Sequence, residues 1–157
     1  MLNVMKIRIL ITVITLALFS ISVNAQDMAP ERVAKMNVIK VAQHRVVVQL
    51  ASADTMVHKS LINQLGNLKE AWGDTVVAEV VVHGPALDFL MPSRTTQLNG
   101  IERLSMSGIT FVACEFTMKQ KKVSKSEILP AAGFTPFGLV EIIRKQEDGW
   151  SYIKAGF

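Results

Sequence analysis

The sequence has little cysteine: Cys114 stands alone among 157 residues. That excludes a disulfide-stapled scaffold and a Cys-based zinc domain. Charged residues make up only 19% and hydrophobic residues 50%, which excludes a disordered tail. Neither a Walker A pattern nor GxGxxG is present, so no glycine-rich phosphate loop is expected. No serine sits in a nucleophile-elbow context. Asp54 and Asp74 form no recognisable carboxylate pair. His44, His58 and His83 show no metal spacing, so neither a metal nor a cofactor is expected.

What is present divides in two. The first 25 residues carry Lys6 and Arg8, no acid, and an apolar run from Ile9 to Phe19. Val23-Asn24-Ala25 supplies small or modest residues where signal peptidase cuts. Residues 1–25 therefore read as a signal peptide cleaved after Ala25, and the product as periplasmic or secreted. The apolar run is short for a membrane span, so no stable anchor is expected after cleavage. The alternative is an uncleaved N-terminal anchor. Without the leader, 15 basic residues face 13 acidic ones, and the net charge falls from +4 to +2. Nucleic-acid binding is not expected at that charge. Residues 26–43 read as an N-terminal arm, and 44–157 as one domain.

Arg45 to Ala51 holds a continuous β-branched run, which predicts a strand buried on both faces. Asp54 is placed to cap a helix in which Val57, Leu61, Leu65, Leu68 and Trp72 form one stripe. Thr75 to Val82 predicts a second strand, broken by His83-Gly84-Pro85, with a short helix over 86–91. Thr95 to Ser107 predicts a helix, Ile109 to Cys114 a third strand, and Glu115 to Lys122 a helix. A turn or short helix over 123–129 and a short strand over 132–136 follow. Gly138 to Asp148 predicts the last helix, with Leu139, Val140 and Ile143 inward, and Trp150 to Ile153 the last strand. Continuous apolar strands alternating with helices predict an α/β fold with a parallel sheet covered on both faces.

In such a sheet ligands sit beyond the carboxyl ends of the strands. His83 ends the second strand, Cys114 the third and Thr135-Pro136 the fourth. Cys114 precedes a helix, where backbone N–H groups and the helix dipole favour thiolate. Lys119, Lys121 and Lys122 add to that effect, and Glu115 opposes it. The competing reading is a small buried hydrophobe. His83 reads either as a base or as a histidine satisfied by nearby backbone. The Lys119 to Lys122 cluster reads as a solvated helix end.

Several segments in order carry a resemblance. They are Ala78-Glu79-Val80-Val81-Val82-His83-Gly84-Pro85, Gly108 to Cys114 with Thr117-Met118, and Gly138 to Lys154 through Gly149-Trp150. Together they resemble the DsrE/DsrF-like family, which includes sulfur-relay subunits, over residues 44 to 154. The resemblance implies a three-layer α/β/α sandwich with a mostly parallel five-stranded sheet, assembled as a trimer or hexamer. It implies that Cys114 carries sulfur as a persulfide between a donor and an acceptor, as a sulfurtransferase or sulfur carrier. Thr117, one helical turn beyond, would bond near the sulfur, and His83 would position or protonate. The leader and the residues around Cys114 match an exported stand-alone member better than a relay subunit. The alternative is a non-enzymatic small-ligand or protein-binding oligomeric module with Cys114 structural. Phe134, Phe137 and Phe157 read first as core or chain-end packing, and second as apolar surface for a partner copy.

Overall fold

The computed structural model of the chain describes residues 44–156. The expected leader, the arm and Phe157 lie outside the described residues. Five strands form one parallel sheet in the order β4-β3-β2-β1-β5. They are β1 (His44–Leu50), β2 (Val76–Val82), β3 (Thr110–Cys114), β4 (Gly133–Thr135) and β5 (Ser151–Lys154). The helices are α1 (Thr55–Trp72), α2 (Leu98–Met106), α3 (Glu115–Lys121) and α4 (Gly138–Glu147). A 3-10 segment, Gly84–Leu90, follows β2.

The layers follow from the strand order. The chain steps one way across the sheet from β1 to β4, so right-handed crossovers place α1, α2 and α3 on one face. It then steps back from β4 to β5, which places α4 on the other. The result is the three-layer α/β/α sandwich expected from the sequence.

Alternate strand residues face the two layers. Val46, Val48 and Leu50 of β1 join Val80 and Val82 of β2 in the larger core. There they meet Leu61 and Leu65 of α1, Ile101 and Leu104 of α2, and Phe89. Phe89 packs against Phe111 and the edge of His58. The His58 ring bonds the Ser52 carbonyl oxygen at 2.7 Å, which satisfies a buried polar group. On the other face Val47, Val81 and Val112 meet Ile142 of α4, with Trp150 beside them.

Local signals explain the helix ends. The Asp54 side chain accepts from the Met56 N–H at 2.8 Å and starts α1. Gly73, at φ 56°, closes it. The stripe on α1 is shorter than expected. Val57, Leu61 and Leu65 are buried, but Trp72 is 40% exposed and stacks on His44. Helix α2 begins at Leu98 rather than Thr95. The Thr95 hydroxyl accepts from the Gln97 N–H, an alternative to helical bonding that side-chain oxygens often supply.

The largest departure is α4. Leu139, Val140 and Ile143 were expected inward, yet they are 58%, 59% and 54% exposed. Gly138 and Ile142 are buried, with Glu141 and Lys145 half-buried beside them. The reason lies in β2. Glu79 is buried on the α4 side of the sheet, and a buried carboxylate needs a cation. Lys145 reaches it at 2.7 Å, lies 3.7 Å from Glu141, and sits over the Trp150 ring. Turning Lys145 inward turns the apolar stripe outward.

Candidate functional site

The strand order creates a place where outgoing connections diverge. Strands β3 and β4 are neighbours, but α3 leaves on one face and α4 on the other. Open α/β sheets bind ligands in the crevice at such a switch point. A cavity of about 390 Å³ lies there. The end of β3 contributes Cys114, and α3 contributes Phe116, Thr117 and Gln120. The start of α4 contributes Phe137, Gly138, Leu139 and Val140, and the end of β2 contributes His83 and Gly84. The two loops are tied by the Phe116 N–H, which donates to the Pro136 carbonyl at 3.2 Å. The Phe116 and Phe137 rings approach to 5.8 Å between centroids.

Cys114 is 4% exposed. Burial alone pushes a thiol up, because it disfavours the charged form. Donors grouped about the sulfur, the Thr117 N–H and hydroxyl, the Gly138 N–H and the Phe116 N–H, outweigh it. The thiol is therefore held below the ordinary cysteine range, as a thiolate needs for reactivity near neutral pH. The Gly138 N–H lies 3.2 Å from Sγ. The Thr117 hydroxyl oxygen in turn accepts from the Gly84 N–H at 2.9 Å, which leaves its proton available to the sulfur. Glu115 opposes the thiolate, but Lys125 offsets its charge at 2.5 Å. The lysines at 119, 121 and 122 are exposed.

Gly138 sits where a side chain would be crowded. A Cβ there would lie 3.2 Å from the His83 Cβ, 3.3 Å from the Val81 Cγ1 and 3.4 Å from the Cys114 Cβ. Glycine lets α4 start this close to the ends of β2 and β3 without displacing its neighbours.

His83 is satisfied by a side chain rather than by backbone. The Tyr152 hydroxyl donates to Gln49 Oε1, leaving the Gln49 amide nitrogen toward His83 Nε2 at 2.8 Å. Nε2 accepts, so the ring proton sits on Nδ1. Burial also lowers the His83 pKa and keeps the ring neutral at neutral pH. Cys114, His83 and Thr117 thus meet at one cavity. His44 and His58 lie elsewhere, stacked on Trp72 and packed in the larger core. Among the described residues no group of three or more His, Cys, Asp or Glu side chains is gathered for a metal ion.

Gly138, Gln49 and Tyr152 escape a reading by motif, because their partners are distant in sequence. A signal for Gly138 existed: a glycine opening a helix at a strand end marks close backbone approach. Leu139 and Val140 were assigned to the core and instead border the cavity, together with Phe137, which is 54% exposed. Phe134 is also exposed, at the outer edge of the sheet with Lys125 over its ring.

No family model matches the chain, and no curated protein matches it significantly. Among solved structures it is similar to MTH1491 of Methanobacterium thermoautotrophicum, a protein of unknown function. The TM-score is 0.67 at 25% identity, over 71% of this chain and 98% of that one. That likeness speaks to the fold.

Proposed function

We propose that this is an exported, DsrE-like sulfur-handling protein, with Cys114 as a persulfide carrier. The observation that supports it is the set of donors on the Cys114 sulfur, at a cavity on the switch point of the sheet. The thiolate attacks the sulfane sulfur of a donor. A new S–S bond forms, the donor's S–S bond breaks, and its electron pair leaves with the donor's remaining group. An acceptor thiolate then removes the outer sulfur and restores Cys114, which the same donors stabilise as a leaving group. Neutral His83 supplies or holds a proton at the cavity. The exposed residues of α4 form the seat of a homo-oligomer, a trimer or hexamer by the family resemblance.

The test is to incubate the purified protein with polysulfide and take an intact mass. The expected result is a gain of one sulfur atom, absent in Cys114→Ser. No gain, with Cys114 silent to a small alkylating reagent until denaturation, overturns the reading. The near-complete burial of Cys114 favours a second reading, a binding module in which the thiol only packs. In that case Cys114→Ala keeps full ligand binding.

A further inference from the structure

Resting on the sulfur-handling reading, we propose that the donor for Cys114 is an organic persulfide with an uncharged, apolar substituent, rather than thiosulfate or another multiply charged species. The argument is the charge of the cavity. Its walls include Phe116, Phe137, Leu139 and Val140, all apolar. The polar side chains lining it, His83, Thr117 and Gln120, are neutral. No lysine or arginine stands among the described residues that line it. Lys125, on the chain leaving α3, is engaged by Glu115.

The donors nearest the sulfur are already used. The Gly138 N–H is already turned on the Cys114 sulfur, with the Thr117 N–H beside it, and the Phe116 N–H is taken by the Pro136 carbonyl. The Thr117 hydroxyl points the same way, and its oxygen is occupied by the Gly84 N–H. His83 Nε2 is occupied by Gln49. A thiosulfate dianion entering the cavity would shed water, meet a thiolate of like sign, and find no countercharge. An aromatic or alkyl substituent would instead cover Phe116 and Phe137 and gain from leaving water. The volume, about 390 Å³, falls in the range that accepts an organic ligand.

The transfer balances without a further oxidant. The Cys114 thiolate attacks the outer sulfur of R–S–SH. The R–S–S bond breaks, R–S⁻ leaves with its electron pair and takes a proton from water, and Cys114 becomes Cys–S–SH.

The experiment compares benzyl persulfide, glutathione persulfide and thiosulfate as donors to the purified protein. The rate of one-sulfur gain is read by intact mass, with Cys114→Ser as blank. Each rate is divided by that of the same donor with a small free thiol, which removes intrinsic reactivity. The expected result is that benzyl persulfide loads Cys114 at least about tenfold faster than either charged donor, a ratio that a few buried carbon atoms supply. Leu139→Lys places a cation at the cavity on an exposed position, where the fold tolerates it. It is expected to raise thiosulfate loading, slow benzyl persulfide and narrow the ratio. Equal corrected rates, faster thiosulfate, or an unchanged ratio in Leu139→Lys overturn the donor class while leaving the sulfur reading intact. No loading of Cys114 by any of these donors or by polysulfide overturns the sulfur reading itself.

Discussion

The two faces of the sheet are built on opposite rules. Under α1, α2 and the 3-10 segment, the buried side chains are apolar except His58, which bonds backbone. Under α4 the apolar contact is small, and an ionic group of Glu79, Glu141 and Lys145 takes its place. The apolar residues of α4 are left outside. The first face supplies most of the hydrophobic stability of the fold. The second holds the start of α4 against Cys114 and leaves surface free to meet something else. Stability rests mainly on one face while the site draws on both, through α3 and the start of α4, and substitutions on the two faces should differ in kind.

The largest effect belongs to the first face. Phe89 is fully buried between Phe111 and His58. Phe89→Ala is expected to cost about 3–5 kcal/mol, through lost transfer energy and the cavity left behind. Urea titration measures it. A cost below about 1 kcal/mol would mean that the first face does not carry the fold.

Gly138→Ala tests where the second face meets the site. The added methyl group meets His83, Val81 and Cys114 from three sides, so overpacking is expected to cost about 1–3 kcal/mol. It also pushes the Gly138 N–H away from sulfur and raises the thiol pKa. Alkylation of the folded protein should slow at neutral pH and recover at alkaline pH, where the thiol ionises unaided. A variant that is destabilised but reacts like the wild type across that range would separate α4 packing from Cys114 chemistry.

The sequence made most of the first face legible and less of the second. Val46-Val47-Val48 and the valines of β2 read as buried strands because β-branched runs bounded by turn residues have few alternatives. The end of β3 gave Cys114 and Thr117 together, because one helical turn separates them. Helix α4 was ambiguous: Leu139, Val140, Ile142 and Ile143 permit more than one inward face. Glu141 and Lys145 stand four residues apart, a spacing common to pairs on a helix surface. The deciding residue was elsewhere. Glu79, alone among the valines of β2, called for an inward cation. The contacts of Gly138 and the Tyr152–Gln49–His83 chain join residues that only the sheet order brings together.

Glu79→Gln tests the ionic group. Burial holds the Glu79 carboxyl above its usual range; Lys145 opposes that, and Glu141 adds to it. The folded state therefore keeps the Glu79 proton more readily than the unfolded chain. The resulting stability is fully present below the unfolded value, about 4.3, and is lost as pH rises through the folded one. Glu141 has the opposite sign: burial raises it, but Arg144, Lys145 and Glu79 bring it lower. Its main partners, Arg144 and Lys145, are present in both proteins, so the difference reports on Glu79 and on its coupling to Glu141. Glu79→Gln is expected to gain on the wild type as pH rises from about 4 toward neutrality, read by urea titration at each pH. A gap that moves the other way would mean that Lys145 outweighs burial and that this face is held by its ion pair.

The smallest expected effect on stability falls on the outer side of α4. Ile143 is 54% exposed, so Ile143→Ser is expected to change stability by less than about 0.5 kcal/mol. Its effect should appear in association instead. Ile143 is exposed like Leu139 and Val140, while Glu141 and Lys145 are turned toward the sheet and Arg144 is held by Glu141. If this surface seats a second copy, Ile143→Ser shifts the oligomer toward monomer in sedimentation at constant stability per chain. A large loss of stability with no change in mass would place Ile143 in the interior packing of the fold. The contrast between a face that holds the molecule together and a face that presents it would then fail at α4.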